Sequence, residues 1–377
     1  DTSMHARLLA LYAQTLIHTP RAEAREEAAR EALALATAST DPALLPAIAS
    51  SVLYALWAPG SSSLRADLAA RAVAAAAATG DSFLEFTTHV AAYTVAIELA
   101  DPAAAARSLS TLRSIATEIG EPGMRWTVGI YDTFDATMAA RLDEAERLVN
   151  ANLELGLQIG EPDAFAVYAT QFYALGTFAG RHAELFPIVE QLAKEAPTAS
   201  PVRIAHAVIC AAVGRADTAR AIFAETQAVG FSDIPRDMFW MTAVVGCAVL
   251  AVELEDVDAA AAIFPVLEPF AAEVAFNGGT SQGPIAAYLG KLASLLGQYD
   301  LADDYLRAAL ATAASFGWEY HRATTLIALA QSRLRRTGAL DPGARACLDE
   351  ADAICDTRGL RSWAAQIEAL RNRHVAH

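Results

Sequence analysis

The chain has 377 residues, of which 54% are apolar and only 8% aromatic, more apolar material than one compact core takes; several domains or one elongated repeat array are implied. A formal charge of −16 excludes a surface that works by neutralising phosphates, because that needs clustered Lys and Arg, so direct nucleic-acid binding is not expected. Alanine runs such as Ala74 to Ala78 and Ala103 to Ala106, with few β-branched clusters, exclude an all-β design and describe close-packed helices.

A spacing of forty residues organises the first half: Asp41-Pro42, Asp81-Ser82, Glu121-Pro122 and Glu161-Pro162 open successive units. Gly80, Gly120 and Gly160 stand just before three of these openings, where a helix ends on a left-handed residue, and the acid after each suits the N-cap of the next helix. The pattern predicts first helices of pairs near 4–18, 42–57, 83–99, 123–139, 163–179, 201–213, 236–254, 284–296 and 320–336. Second helices are expected near 22–38, 65–79, 102–119, 142–159, 182–195, 215–229, 257–275, 299–316 and 343–357, with a closing helix near 361–373.

The second helices read alike: Leu142-Asp-Glu-Ala-Glu-Arg-Leu148, Ala216-Asp-Thr-Ala-Arg-Ala-Ile222 and Tyr299-Asp-Leu-Ala-Asp-Asp-Tyr-Leu306. Ala145, Ala219 and Ala302 are the small residues that let neighbouring helices approach, and Leu142, Ala145, Leu148 and Val149 mark one buried stripe. No pair buries such a stripe alone, so stacking must supply the core. The expected fold is all-α: an α-solenoid, a tetratricopeptide-like right-handed superhelix of about nine hairpins with a C-terminal capping helix. The chain then reads as one array over 1–377, with forty-residue units in 1–180, a unit of tetratricopeptide length in 180–214, irregular longer units in 215–360 and the cap, bearing Arg361, Gln366, Glu368, Arg371 and Arg373, at 361–373.

Cys210, Cys247, Cys347 and Cys355 lack CxxC spacing, which suggests neither a zinc site nor a disulfide framework and fits a cytoplasmic protein. No signal peptide is evident at Asp1, His5 and Arg7, and the start straight into a repeat helix (Ala6, Leu8, Leu9, Tyr12) leads to the expectation that the chain is part of a longer one. The longest apolar run, Phe239 to Val252, falls short of the ~20 residues a spanning helix needs, so no membrane association is expected. Eleven acids between Gly230 and Asp304 face only Arg236 and Lys291, a band read as a solvated acidic face or a dock for a basic partner.

Motifs for phosphate cradling, dinucleotide binding, zinc hydrolysis and serine hydrolysis are absent from the sequence, so neither a catalytic residue nor a cofactor is expected. Eight histidines (His5, His18, His89, His182, His206, His321, His374, His377) show no metal-ligand spacing. Asn277-Gly-Gly-Thr-Ser-Gln-Gly-Pro284 reads as a long connection between helices that could offer backbone N–H groups to an anion. Trp57-Ala-Pro-Gly-Ser-Ser-Ser63 reads as a loop within a pair.

The first helices carry large polar-tipped side chains, and in stacked pairs those helices line the concave face. Trp57, His89, Tyr93, Trp126, Tyr131, Gln171, Tyr173, His206, Trp240, Gln282 and Tyr288 are therefore the candidate ligand- or partner-binding residues, with Tyr54, Tyr320 and His321 of the same kind. The competing reading is packing between adjacent pairs, since rings at helical spacing are more often core.

Gly297-Gln-Tyr-Asp-Leu-Ala-Asp-Asp-Tyr-Leu306, Ala313 to Gly317 and Arg322-Ala-Thr-Thr-Leu-Ile-Ala-Leu-Ala330 resemble the C-terminal tetratricopeptide-like region of large actinobacterial signalling ATPases, including LuxR-type transcriptional regulators and adenylate-cyclase-linked proteins. Asp233-Ile-Pro-Arg-Asp-Met-Phe-Trp240, Gly283-Pro-Ile-Ala-Ala-Tyr-Leu-Gly290 and Met124-Arg-Trp126 add to the resemblance, which spans nearly the whole chain. It implies a non-catalytic sensor or interaction arm that binds a protein partner or a small inducer, with the neighbouring ATPase or effector module lying outside this chain. An enzyme with a site evolved secondarily in the groove, and a passive assembly scaffold, are the alternatives.

Overall fold

The computed structural model describes residues 2–17, 19 and 21–372; Asp1, His18, Arg373, His374 and His377 lie outside the described residues. The fold is all-α and solenoid-like, with nineteen α-helices among the described residues. No helix among them is long and apolar enough to cross a membrane. The chain divides into two compact units, Asp1–Val128 with Pro235–Trp240 and Gly129–Ile234 with Met241–His377.

The first unit holds α1 (Thr2–Thr15), α2 (Ala22–Ala38), α3 (Leu44–Ala55), α4 (Ser62–Thr79), α5 (Ser82–Glu98), α6 (Pro102–Ile119) and the start of α7 (Pro122–Met138). Its helices stop and start as the forty-residue register predicts. Gly80 and Gly120 end α4 and α6 at φ 69° and 71°, and the Asp81 carboxylate accepts from Phe83 N and Leu84 N at the head of α5. α1, α3 and α5 pack in one row, each with its partner helix behind it. Ala6, Ala10, Ala29 and Ala32 bring α1 and α2 close, while Leu44, Ile48, Val52 and Leu68 fill the space towards α4.

Charge is buried in that core as well. Arg65 is only 1% exposed; it pairs with Glu98 and lies 4.1 Å from the centre of the Trp57 ring. The Trp57 indole also donates to Glu98, so the segment 57–63, expected to be a plain loop, closes over a buried ion pair.

The second unit contains the rest of α7, then α8 (Leu142–Ile159), α9 (Ala164–Phe178), α10 (His182–Glu195), α11 (Ser200–Ala212), α12 (Ala216–Ala228) and α13 (Trp240–Glu253), the last from Met241 onward. After these come α14 (Val257–Leu267), β1 (Val274–Phe276), β2 (Ser281–Pro284), α15 (Ile285–Leu295), α16 (Tyr299–Phe316), α17 (Glu319–Thr337), α18 (Pro342–Arg358) and α19 (Arg361–Asn372). Consecutive helices stack from α8 to α12 and from α14 to α19.

The turns inside six of the pairs obey one rule. The residue after the left-handed position donates its N–H five residues back: Asp101 to Ala96 O, Arg141 to Ala136 O, Arg181 to Gly176 O, Arg215 to Cys210 O, Asp256 to Ala251 O and Gln298 to Ala293 O, at 2.8 to 2.9 Å. Glycine fills the left-handed position at Gly180, Gly214 and Gly297, but Ala100, Ala140 and Glu255 occupy it at φ 57°, 54° and 52°.

Two expectations are corrected. The helix predicted over 257–275 ends at Leu267 and passes through a short 3-10 turn, Glu268–Phe270, because Pro269 cannot continue the ladder. Beyond that turn the chain forms a β-hairpin rather than an irregular connection: Val274–Phe276 pairs antiparallel with Ser281–Pro284 across a bulge at Ala275/Phe276. The hairpin's turn is closed by Asn277, whose Oδ1 accepts from Thr280 N at 2.9 Å, Thr280 Oγ1 at 3.1 Å and Gly279 N at 3.3 Å. The backbone N–H groups expected to be open to an anion are in part spent on this turn.

Candidate functional site

The polar interior of the second unit centres on this hairpin. Its tip reaches the first-helix row: Gln171 on α9 donates through Nε2 to Ile130 O on α7 at 2.8 Å and to Gly279 O at 3.1 Å. Phe276 on β1 meets Phe134 on α7 at 5.2 Å between ring centres, and Phe134 in turn meets Trp318, just before α17, edge-on at 6.1 Å. Phe178 at the end of α9 stacks on Tyr320 of α17, and both rings present a face or edge to His321. Thus α9 touches α17 and α7 touches the residue just before it, although three and four helix pairs respectively lie between them along the chain. The space between is filled by the protein's own hairpin and rings.

β2 leads directly into α15 and delivers a second group of polar side chains. The Tyr288 hydroxyl donates to Gln282 O at 2.6 Å, and the Lys291 ammonium lies 5.2 Å from the Tyr288 ring centre. Gly283, at φ 83°, sits against the His321 imidazole so closely that a Cβ there would lie 2.5 Å from Nδ1. His321 is 3% exposed, and its Nε2 and the Gln282 Oε1 are buried without hydrogen-bond partners.

Desolvation governs the titration of the group. Burial, with the Lys291 charge adding to it, holds His321 down at about 3, so the imidazole is neutral at physiological pH. Burial likewise pushes Lys291 below the usual lysine range against the pull of Glu253, and pushes the Tyr288 and Tyr320 phenols up. A cavity at the hairpin tip, lined by Phe134, Gln171, Phe178 and Thr280 among others, measures about 10 Å³, room for about one water.

Of the sequence-predicted residues, Gln171, Gln282 and Tyr288 meet around the hairpin. Gln171, Tyr131 and Tyr288 are buried, whereas Tyr173 and His206 in the same unit are half-buried. Burial pushes the Tyr173 phenol up to about 12 and His206 below the usual histidine range; His206 lies 6.1 Å from the Phe186 ring. In the first unit Trp57, Tyr93, Trp126 and Trp240 are buried and His89 is half-buried, its pKa lowered by desolvation. Most of these side chains therefore serve as packing, the competing reading of their helical spacing.

Sequence reasoning noted Lys291 only as a base within the acidic band and did not place it, Phe134 or Phe178 at a site, although Lys291 and Lys194 are the only lysines in the chain. Phe134 and Phe178 carry no signal of their own, because their role appears only when distant helices meet. Among the described residues no group of three or more His, Cys, Asp or Glu side chains is placed to hold a metal ion. The four cysteine thiols are all pushed up by burial, Cys355 to about 11. No protein-family model matches the sequence, and no curated protein matches it.

Proposed function

We propose that the chain is a non-catalytic sensor or interaction module of a cytoplasmic signalling or transcription-regulatory protein, which binds a protein partner or small inducer and passes the change to a neighbouring module. The observation that carries this reading is the filled interior of the second unit. Burial perturbs its Lys291, His321, Tyr288 and Tyr320 side chains, and the cavity at the hairpin tip, lined by other residues, measures about 10 Å³, too small for a substrate. Their pKa shifts arise from desolvation alone in Tyr288 and mainly in Lys291, Tyr320 and His321, which is the signature of packing more than of a tuned acid and base. The stacked hairpins instead offer long outer helix faces, the usual asset of a repeat protein that recognises partners. The resemblance of Gly297–Leu306 and Arg322–Ala330 to the repeat region of signalling ATPases supports the same reading.

Thermal-shift measurements on the full chain against a panel of small metabolites and displayed peptides test it. A saturable rise in Tm with one class of ligand, recovered chemically unchanged, is the expected outcome. Conversion of a bound compound to product, read by mass spectrometry, would overturn the non-catalytic assignment.

A further inference from the structure

We infer that the outer surface of α8, α9 and α10 is a docking face for a basic amphipathic helix of a partner protein. This deepens the proposed function and rests on it. Phe165 opens α9 with 66% of its surface exposed, and Tyr168 and Phe172 continue the row at ring-centre distances of 6.3 and 5.5 Å. The spacing i, i+3, i+7 puts the three rings on one side of α9, a ladder of about two helical turns that matches the apolar ridge of another helix. Leu157 on α8 and Leu192 on α10, 63% and 41% exposed, lie on the helices that flank α9. Phe165 is the exposed end of this row, whereas Tyr168 and Phe172 are half-buried and also pack inward, Tyr168 on the cluster of Ala136, Ala145, Val149 and Leu175 and Phe172 on that of Leu185, Val189 and Ile209.

The surroundings specify the charge of the occupant. From Arg141 to Glu195 nine acids face four bases, and three of those bases are already neutralised: Arg141 by Glu144, Arg181 by Glu146 and Lys194 by Glu190. An open groove of about 530 Å³ runs along α8 past Asp143, Glu146, Arg147, Asn150, Ala151 and Glu154, with three acids to one base. Arg181 ties this acidic face to the ring ladder: it bonds Glu146 at 3.0 Å while its guanidinium lies 5.7 Å from the Phe172 ring centre. A partner helix with large apolar residues on one side and Lys or Arg on its flank satisfies both features, in the manner of helix-in-groove recognition. A second copy of this chain, with its own −16 charge, does not.

The probe is an amphipathic leucine–lysine peptide of about fourteen residues, compared by fluorescence anisotropy with a scrambled peptide of the same composition and with a leucine–glutamate peptide. The full chain should bind the first in a salt-dependent manner, and the other two at least ~10-fold more weakly. Phe165→Ala, at an exposed position that leaves Tm unchanged, should weaken binding about 10-fold or more, and Glu154→Lys should steepen the loss at low salt. Three outcomes would sink the proposal: equal binding of the scrambled peptide, an unchanged affinity in Phe165→Ala, or a dimer by light scattering that Phe165→Ala dissolves. Hydrogen-exchange protection separates this inference from the reading it rests on. Protection by a ligand elsewhere than 143–192 overturns the docking face and leaves the interaction function standing.

Discussion

Phe178 and Tyr320 lie face to face, 3.6 Å between ring centres and 3° from parallel, and join α9 to α17 across about 140 residues of chain. Trp363 meets Tyr320 edge-on at 5.8 Å, so the pair belongs to a ring cluster that the local helix register does not dictate. Replacement of Phe178 by Ala removes a buried ring and should lower stability by about 3–5 kcal/mol, measured by urea unfolding. A double-mutant cycle with Tyr320→Leu should return a coupling of roughly 0.5–1.5 kcal/mol; additive effects would show that the stacking contributes nothing beyond burial.

His321 makes the second unit acid-labile. Its folded pKa of about 3 lies below the ordinary 6.5, so the folded state binds fewer protons than the unfolded chain between those values. The stability is therefore fully present above pH 6.5 and is lost as pH falls from there towards 3, by at most about 1.4 kcal/mol per pH unit. Chemical denaturation from pH 7 to pH 4 should show this slope, and His321→Phe should flatten it, whatever its effect on absolute stability.

Gly283 is fixed by its neighbour. Ala at that position would place a methyl group 2.5 Å from His321 Nδ1 and hold a φ of 83°, so Gly283→Ala should cost more than ~2 kcal/mol. Adding His321→Ala to it should restore part of the loss, because the steric component disappears while the backbone strain remains. An undiminished Tm in the single variant would refute the close approach.

Ala100, Ala140 and Glu255 hold left-handed conformations that glycine adopts without steric cost. Ala140→Gly should therefore raise stability by about 0.5–1 kcal/mol, the reverse of what the same substitution does inside a helix. Thermal unfolding of Ala140→Gly beside Ala136→Gly, within α7, gives the two signs in one experiment.

Helix positions were legible because each pair carries its own punctuation. The segment 299–316, forecast from Tyr299-Asp-Leu-Ala-Asp-Asp-Tyr-Leu306 and the glycine at 317, is the helix observed, ended by Gly317 at φ 69°. The hairpin escaped because the alanine-rich stretch after Val257 sustains a helical pattern up to Pro265, and the three-residue run Val274-Ala-Phe276 is too brief for an alternation to register. Its one clear sign was Asn277-Gly278-Gly279, a turn sequence between short apolar runs. The residues that face the hairpin were only partly legible. Gln171, Gln282 and Tyr288 stood out by type, but the meeting of Phe134, Phe178 and Trp318 depends on contacts between distant pairs, on which periodicity is silent.

The clasp between α9 and α17 also changes how the second unit can be cut. In an open array each hairpin leans only on its neighbours, so deletions from one end shorten the protein without unravelling it. Here removal of the residues from Trp318 onward would strip a partner from Phe134 and Phe178 near the opposite end, and the loss would propagate to both termini of the unit. Contacts closed over such a long loop also make for slow, cooperative folding of the unit rather than one hairpin at a time.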